Sequence, residues 1–299
     1  MAHSGRAATS RTSTRNARAF ERAFLSRNWG IIASGVQKSL QKQVIFAAGV
    51  GLSSQMVLQA CQIGFRDFIL ADGDTVEISN LNRQAFTTAH IGQNKAEATA
   101  NLLRSITPQA RVQVIPTFLE PSSYRPLLAR ATIVVNSIDF DNPTLFALNR
   151  DAGALGIPVL FPLNLGWGSA VLVFPPNSPS FESFLGLDAA ALDQNDVGVD
   201  PVTTPPPDIL DRLIYRIYAQ VPGGVPSYLA KLSARFARRA SDGNWPGDPQ
   251  LGPTTALTAA MLVRAAVALA AGEPLKVVPE VNFADLHQIM SLFPRAAER

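Results

Sequence analysis

Residues 44–72 read as strand, glycine turn, helix, strand. "VIFAA" (44–48) is a short apolar run that ends in a glycine-bearing turn. "LSSQMVLQACQIG" (52–64) then carries Met56, Val57, Ala60, Cys61 and Gly64 on one helical face. "DFILAD" (67–72) is a second strand. Two strands joined through a helix run parallel by a right-handed crossover, so this unit commits the chain to a sheet with helices packed on it. The alternation continues. "IGQNKAEATANLLRSI" (91–106) has helical spacing and stops before Pro108. "RVQVIPT" (111–117) and "ATIVVNS" (131–137) are strands, and "NPTLFALNRDAGALG" (142–156) is a helix behind the second. "IPVLF" (157–161) and "SAVLVF" (169–174) follow with little between them, which predicts an antiparallel addition to the sheet.

The pattern predicts an α/β fold, a Rossmann-like doubly wound sheet that is mostly parallel with antiparallel additions. The rhythm breaks at Pro175. Residues 175–253 are rich in Pro, Asp and Gly, with one helix expected over 208–220 and a second over 227–240. This is a long crossover excursion, of the kind that carries partner specificity. The apolar run 254–272 is interrupted by Arg264 and reads as a buried helix, not a membrane span. A last strand is expected within "VVPEVNFADL" (277–286). The chain thus divides into a flexible basic arm (1–20), a core (21–174), a variable crossover region (175–253) and a helix and strand that return to the core (254–299).

Composition removes several function classes. The net charge of +3 gives no general case for nucleic acid. Basic residues do gather at the start, where Arg6, Arg11, Arg15 and Arg18 precede the first acid, Glu21. That arm has no apolar stretch of a secretory signal; its Arg- and Ser-rich character also suits an organelle transit peptide, but the expectation is an arm that orders against a partner. A single cysteine, Cys61, excludes an internal disulfide and every Cys-based zinc site. His3, His90 and His287 are scattered, so no zinc is expected. The expectation is a cytoplasmic chain with no membrane segment.

"AAGVGLSSQ" (47–55) lies between strand and helix, where backbone N–H groups and the helix dipole favour a phosphate. Gly49 and Gly51 are present, and Ser54 stands where a third glycine of G-x-G-x-x-G is usual. Asp72 ends the next strand 21 residues after Gly51, the usual distance for an acid that binds a ribose hydroxyl pair. Alone, this fingerprint suits NAD as readily as ATP. The stretch "DGDTVEISNLNRQAF" (72–86) separates them. A hydride-transfer enzyme has no need of Asn-x-Asn-Arg-Gln just beyond the ribose acid. Nucleotidyl transfer does, because charge develops on the α-phosphate and the departing pyrophosphate. Arg83 can pair bidentately with phosphate oxygens, and Asn80 and Gln84 can add neutral donors. Lys95, at the start of the next helix, supplies a compact positive charge. Asp139, at the end of "ATIVVNSID", lies on the sheet edge where open α/β folds bind ligands, and suits Mg²⁺. Asp141, two residues on, is a second carboxylate, and either could instead cap the helix over 142–156.

Here the chain resembles the ThiF/MoeB/HesA superfamily, adenylating enzymes related to ubiquitin-activating enzymes. The matching residues are "FLSRNWG" (24–30), "GVQKSLQKQVIFAAGVG" (35–51), "DGDTVEISNLNRQ" (72–84), "IGQNK" (91–95), "NSID" (136–139) and "GEPLKVVPEVNF" (272–283). The resemblance implies that residues 21–174 are a nucleotide-binding adenylation core. Asp72 would bind ribose with Asp74 beside it, Asn80, Arg83, Gln84 and Lys95 would hold the triphosphate of ATP, and Asp139 would hold magnesium. It also implies a homodimer in which Arg27 reaches into the neighbour's site. The chain departs from the family in three ways. Its loop reads Ala48, Gly49, Val50, Gly51, Leu52, Ser53 where G-x-G-G-x-G is typical, it lacks the paired Cys-x-x-Cys zinc site of many bacterial members, and no cysteine lies in the crossover region.

The implied activity is ATP- and Mg²⁺-dependent adenylation of a carboxylate, belonging to a carrier protein, a peptide or a small molecule. Pyrophosphate is released and the acyl-adenylate passes to an external nucleophile. Two alternatives stand beside it: a non-catalytic subunit of a heterodimer, and an enzyme similar to the tRNA threonylcarbamoyladenosine dehydratases. A plain NAD-dependent dehydrogenase is third.

Overall fold

The computed structural model describes residues 16–140, 142–187, 209–221 and 249–291. The helix expected over 227–240, Asp141 and the first fifteen residues of the arm lie outside them. A helix over 16–24, α1, takes in the last residues assigned to the arm. It is followed by a 3-10 turn at Ser26–Asn28 and by α2 (Ser34–Leu40).

Strand β1 (Val44–Ala48) is buried from its second residue on, as is β2 (Asp67–Ala71). Continuous apolar runs of this kind form strands that are covered on both faces. Helix α3 (Ser54–Ile63) links them and ends on Gly64, whose φ of +120° suits only glycine. Helix α4 (Lys95–Ile106) starts at the Asn94 cap and leads into β3 (Arg111–Ile115). The expected helix over 91–106 therefore loses its first turn, because the Asn94 side chain accepts the N–H groups of Ala96 and Glu97 and fixes the start there.

Between β3 and β4 (Ile133–Asn136) the chain forms a helix absent from the sequence reading, α5 (Pro121–Leu128). Two prolines mask it. Pro121 occupies the first turn, where no N–H is needed, and the buried Tyr124, Leu127 and Leu128 form its inward face. Helix α6 (Thr144–Ala154) precedes β5 (Val159–Leu165), which pairs antiparallel with β6 (Gly168–Phe174). β5 runs four residues past its expected end, through Pro162. Beyond Leu160 it pairs only with β6, so the proline owes no hydrogen bond to a second neighbour.

The order β3-β2-β1-β4-β5-β6-β7 makes one seven-stranded sheet, parallel from β3 to β5 and antiparallel at β6 and β7 (Asn282–Asp285). The expected doubly wound fold is therefore present. Helices α2, α3, α4 and α9 (Gly252–Ala271) cover one face. The other face is covered by α5, α6, α7 (Phe181–Leu185) and α8 (Ile209–Tyr218). A short helix, α10 (Leu286–Ser291), closes the described chain.

Helix α9 is 20 residues long and apolar, and it lies across β5 and β6 as a core element. A hydroxyl ladder attaches it. Thr254 donates to the Gly166 carbonyl at 2.7 Å, Asn164 donates to Thr255 at 2.9 Å, and Thr258 donates to Asn164 at 2.6 Å. Ser169 and Thr258 share a further bond at 2.7 Å. Thr254, Thr255, Thr258 and Ser169 are buried, so each hydroxyl needs its partner.

Candidate nucleotide site

The sheet order reverses direction between β1 and β4, and open α/β sheets bind ligands in the crevice at such a point. The Gly49–Ser53 loop stands there. The Ser137 N–H donates to the Ala48 carbonyl at 2.8 Å, which closes the two strand ends together. Gly49 has φ of +80°, and a Cβ on it would lie 2.6 Å from the Ser137 carbonyl oxygen. Gly51 faces Gln84, whose amide nitrogen would stand 3.2 Å from a Cβ there. Gly49 thus has a steric reason to be glycine, and Gly51 a milder one, since the Gln84 amide would have to shift by a few tenths of an ångström.

Two serines that stand where glycine-loop patterns have a glycine build the loop from inside. Ser53 donates to the Gly49 carbonyl at 2.5 Å, and Ser54 to the Gly51 carbonyl at 2.8 Å. Ser54 also accepts the Ala85 N–H at 3.1 Å, which ties the loop to the Asn-Arg-Gln turn. Two buried polar atoms here, Gln84 Oε1 and Ser137 Oγ, have no partner among the described residues. Buried polar groups are rarely left so, and a nucleotide with its bound water is the kind of ligand that satisfies them.

Asp72 lies just beyond β2. Its carboxylate accepts the Val50 N–H at 2.8 Å and the Asp74 N–H at 2.9 Å, one on each oxygen. Each oxygen retains a further lone pair for a hydroxyl. Burial pushes this carboxyl above the usual range, opposed by those two N–H groups and by Lys95. Lys95 is buried at the first position of α4, and its ammonium lies 2.8 Å from Asp74 Oδ2. Asn94 pins the arrangement by donating to the Asp72 carbonyl at 2.8 Å.

Asn80 is buried, and its side-chain oxygen accepts the Glu77 N–H at 3.0 Å, capping the 3-10 turn Ile78–Asn80. Only its NH₂ group remains to act as the expected donor. Arg83 follows on that turn. Its Nη1 donates to the Ser79 carbonyl at 2.7 Å and to Asn82 Oδ1 at 2.9 Å, and Nε donates to Gln250 Oε1 at 2.9 Å. Burial pulls the pKa of this guanidinium below its ordinary value.

Asp139 lies three residues past β4 on the same sheet edge, in a turn closed by the Asn142 N–H on its carbonyl at 3.1 Å. At the start of the helix behind it, the Asn142 side-chain oxygen accepts the Thr144 N–H at 2.9 Å, while Asp141 lies outside the described residues.

The structure therefore gathers Gly49, Gly51, Asp72, Asp74, Asn80, Arg83, Gln84 and Lys95 about one loop, with Asp139 on the neighbouring strand end. It does not bring Arg27 to them. Arg27 is exposed, and its neighbour Asn28 donates to the Ile63 carbonyl at the far end of α3. Ten helical residues put roughly 15 Å between that end and the loop.

Two neighbours escape the sequence reading. Phe118, 64% exposed beyond β3, lies over Gly73 so closely that a Cβ there would be 2.5 Å from its ring. Gln250 is 167 residues from its partner Arg83. Neither belongs to a motif or a periodic pattern.

Cys61 is fully buried on α3, and burial pushes its thiol up to about 11, partly offset by Arg66. Such a thiol holds almost no thiolate at neutral pH. Cys61→Ser should therefore lower the thermal midpoint, because it buries a hydroxyl, and leave nucleotide binding at the unsubstituted level. Loss of binding in a folded Cys61→Ser protein would contradict a packing role.

The ThiF family matches residues 25–299. The sulfur carrier protein ThiS adenylyltransferase of Escherichia coli (strain K12) is 29% identical over 147 residues, 49% of this chain and 58% of that protein. The chain thus spans little more than half the length of that relative. Among solved structures, selenomethionyl PaaA superposes with a TM-score of 0.63 at 18% identity, covering 89% of this chain and 80% of that one. Escherichia coli MccB with ATP superposes with a TM-score of 0.56 at 17% identity, covering 88% and 70%. These two likenesses are of fold.

Proposed function

Because the chain belongs to the ThiF family, we propose that it is an adenylyltransferase that activates a carboxylate with ATP. The observation that carries this reading is the convergence of Arg83, Lys95 and the Asp72–Asp74 pair on the Gly49–Ser53 loop. A dehydrogenase loop needs the ribose acid alone; two cations with side-chain amides around it suit a triphosphate. That one related protein is named for adenylating a sulfur carrier, and that another has been solved with ATP, supports the same reading.

In the reaction, an oxygen of the substrate carboxylate attacks the α-phosphorus of ATP. The bond to the bridging oxygen breaks, and pyrophosphate leaves with the electron pair. Asp72 holds the ribose hydroxyls, and the exposed ring of Phe118 offers the base an apolar wall. Loop N–H groups, Arg83, Lys95 and the Asn80 and Gln84 amides take the charge that grows on phosphate oxygens. Asp139 would hold Mg²⁺, which neutralises phosphate charge when bound. The substrate is the terminal carboxylate of a carrier protein or peptide, or a small acid. With Cys61 buried, the acyl-adenylate passes to an external nucleophile.

The test is ATP–pyrophosphate exchange with a panel of carrier proteins, peptides and amino acids. Carboxylate-dependent exchange is the expected result. ATP binding without exchange on any carboxylate would favour the non-catalytic subunit, and NAD binding without ATP binding would end the adenylation reading.

The distance of Arg27 from its own loop suits a homodimer in which it serves the neighbour's site. Arg27→Ala and Lys95→Ala proteins, each inactive alone, should then recover about a quarter of the site activity on mixing and random exchange, since a mixed dimer keeps one intact composite site. No recovery despite proven subunit exchange would count against a shared site.

A further inference from the structure

We propose that Gln250 is a positioning residue for Arg83, which orients the guanidinium while leaving its positive charge available to phosphate. The inference rests on the nucleotide reading above. Among the described residues the three acceptors around Arg83 are all neutral: the Gln250 amide on Nε, and the Ser79 carbonyl and Asn82 amide on Nη1. A neutral acceptor fixes direction without cancelling charge, whereas a carboxylate there would form the ion pair that phosphate should form. Nη2 has no acceptor among the described residues, so it is the part of the fork left to an incoming oxygen.

The grip on this turn is double. The Gln250 carbonyl also accepts the Asn82 side chain at 3.1 Å. Gly252, two residues on, lies against the same turn so tightly that a Cβ would be 2.7 Å from the Asn82 carbonyl oxygen. From the other side Gln55 donates to the Arg83 carbonyl at 2.6 Å. Residues 250–252 are in turn held at a set height by Thr254, Thr255 and Thr258. The crossover region thus re-enters the core on the arginine that meets ATP.

The experiment measures ATP affinity by calorimetry with Mg²⁺, and kcat/KM for ATP in pyrophosphate exchange, on the full chain. Gln250→Ala should lower both by roughly 10- to 100-fold, as a misaimed group does, with little change in thermal midpoint. Gln250→Glu keeps the size and the acceptor, and should lower ATP affinity further because its carboxylate neutralises Arg83. In an Arg83→Ala background, Gln250→Ala should cost nothing more. Unchanged ATP affinity in both single variants would overturn the proposal, and so would an equal loss in the Arg83→Ala background. If the unsubstituted protein bound no ATP, the nucleotide reading would fall and this inference with it. Binding without exchange would remove only the catalytic reading, and the affinities would still decide the role of Gln250.

Discussion

Arg83→Ala and Lys95→Ala should each reduce pyrophosphate exchange by about 10²–10³, or about 2.7–4 kcal/mol, with the fold intact. The two losses have different origins. Arg83 sits on a turn whose other bonds are made by Asn80, Asn82 and Ser54, so truncation leaves the backbone in place. Lys95 is buried against Asp74, and its removal leaves two carboxylates, Asp72 and Asp74, facing the loop without a cation. Repulsion of phosphate then adds to the lost attraction. ATP affinity should accordingly fall more in Lys95→Ala than in Lys95→Arg, which keeps the charge in a different shape. Wild-type turnover in folded Arg83→Ala protein would show that the turn does not meet the triphosphate.

Gly49→Ala should be among the more damaging single methyl additions to the described residues. The residue's φ of +80° costs an L side chain about 1–2 kcal/mol. The new Cβ would also stand 2.6 Å from a backbone oxygen, so β1 and β4 must part at the tip, and forced repacking costs about 1–3 kcal/mol more. A combined loss of about 2–5 kcal/mol is a large share of the ~5–15 kcal/mol that holds a typical domain. Chemical denaturation should report it as a lower midpoint with an unchanged slope. ATP binding by the surviving folded fraction should fall as well, because the Val50 N–H that orients Asp72 sits on the displaced loop. A Gly49→Ala protein with the original midpoint would mean that the loop is looser than its geometry.

The central strands and the helix after the glycine turn are legible in sequence because each signals its own burial. Val44–Ala48 and Asp67–Ala71 are apolar runs bounded by turns, and α3 repeats its apolar residues at helical spacing. Helix α5 is hidden because its prolines speak against a helix, and only the tertiary cover on Tyr124 and Leu128 outweighs them. The length of β5 is hidden for a similar reason, since Pro162 is harmless only where β4 has already ended. Within the site, the residues on one continuous motif were readable from type and spacing. The structural duties they also carry were not: Asn80 caps a turn, and Asp72 accepts two backbone N–H groups. Gln250 left no local trace, because its meaning depends on a contact that only the return of the chain creates.

The hydroxyl ladder under α9 bears on how chains of this design can diverge. A helix of small apolar residues could slip along the sheet at little penalty, but here a slip would strand several buried hydroxyl groups at about 1–3 kcal/mol each. Length added to a flexible connection outside that ladder meets a far gentler charge, since doubling a loop adds only about 0.6 kcal/mol of closure entropy. Insertions and deletions there can therefore accumulate without moving Gln250 or Arg83. The length of that connection is free to change over generations, while the pitch of the turn that bears Arg83 is inherited unchanged.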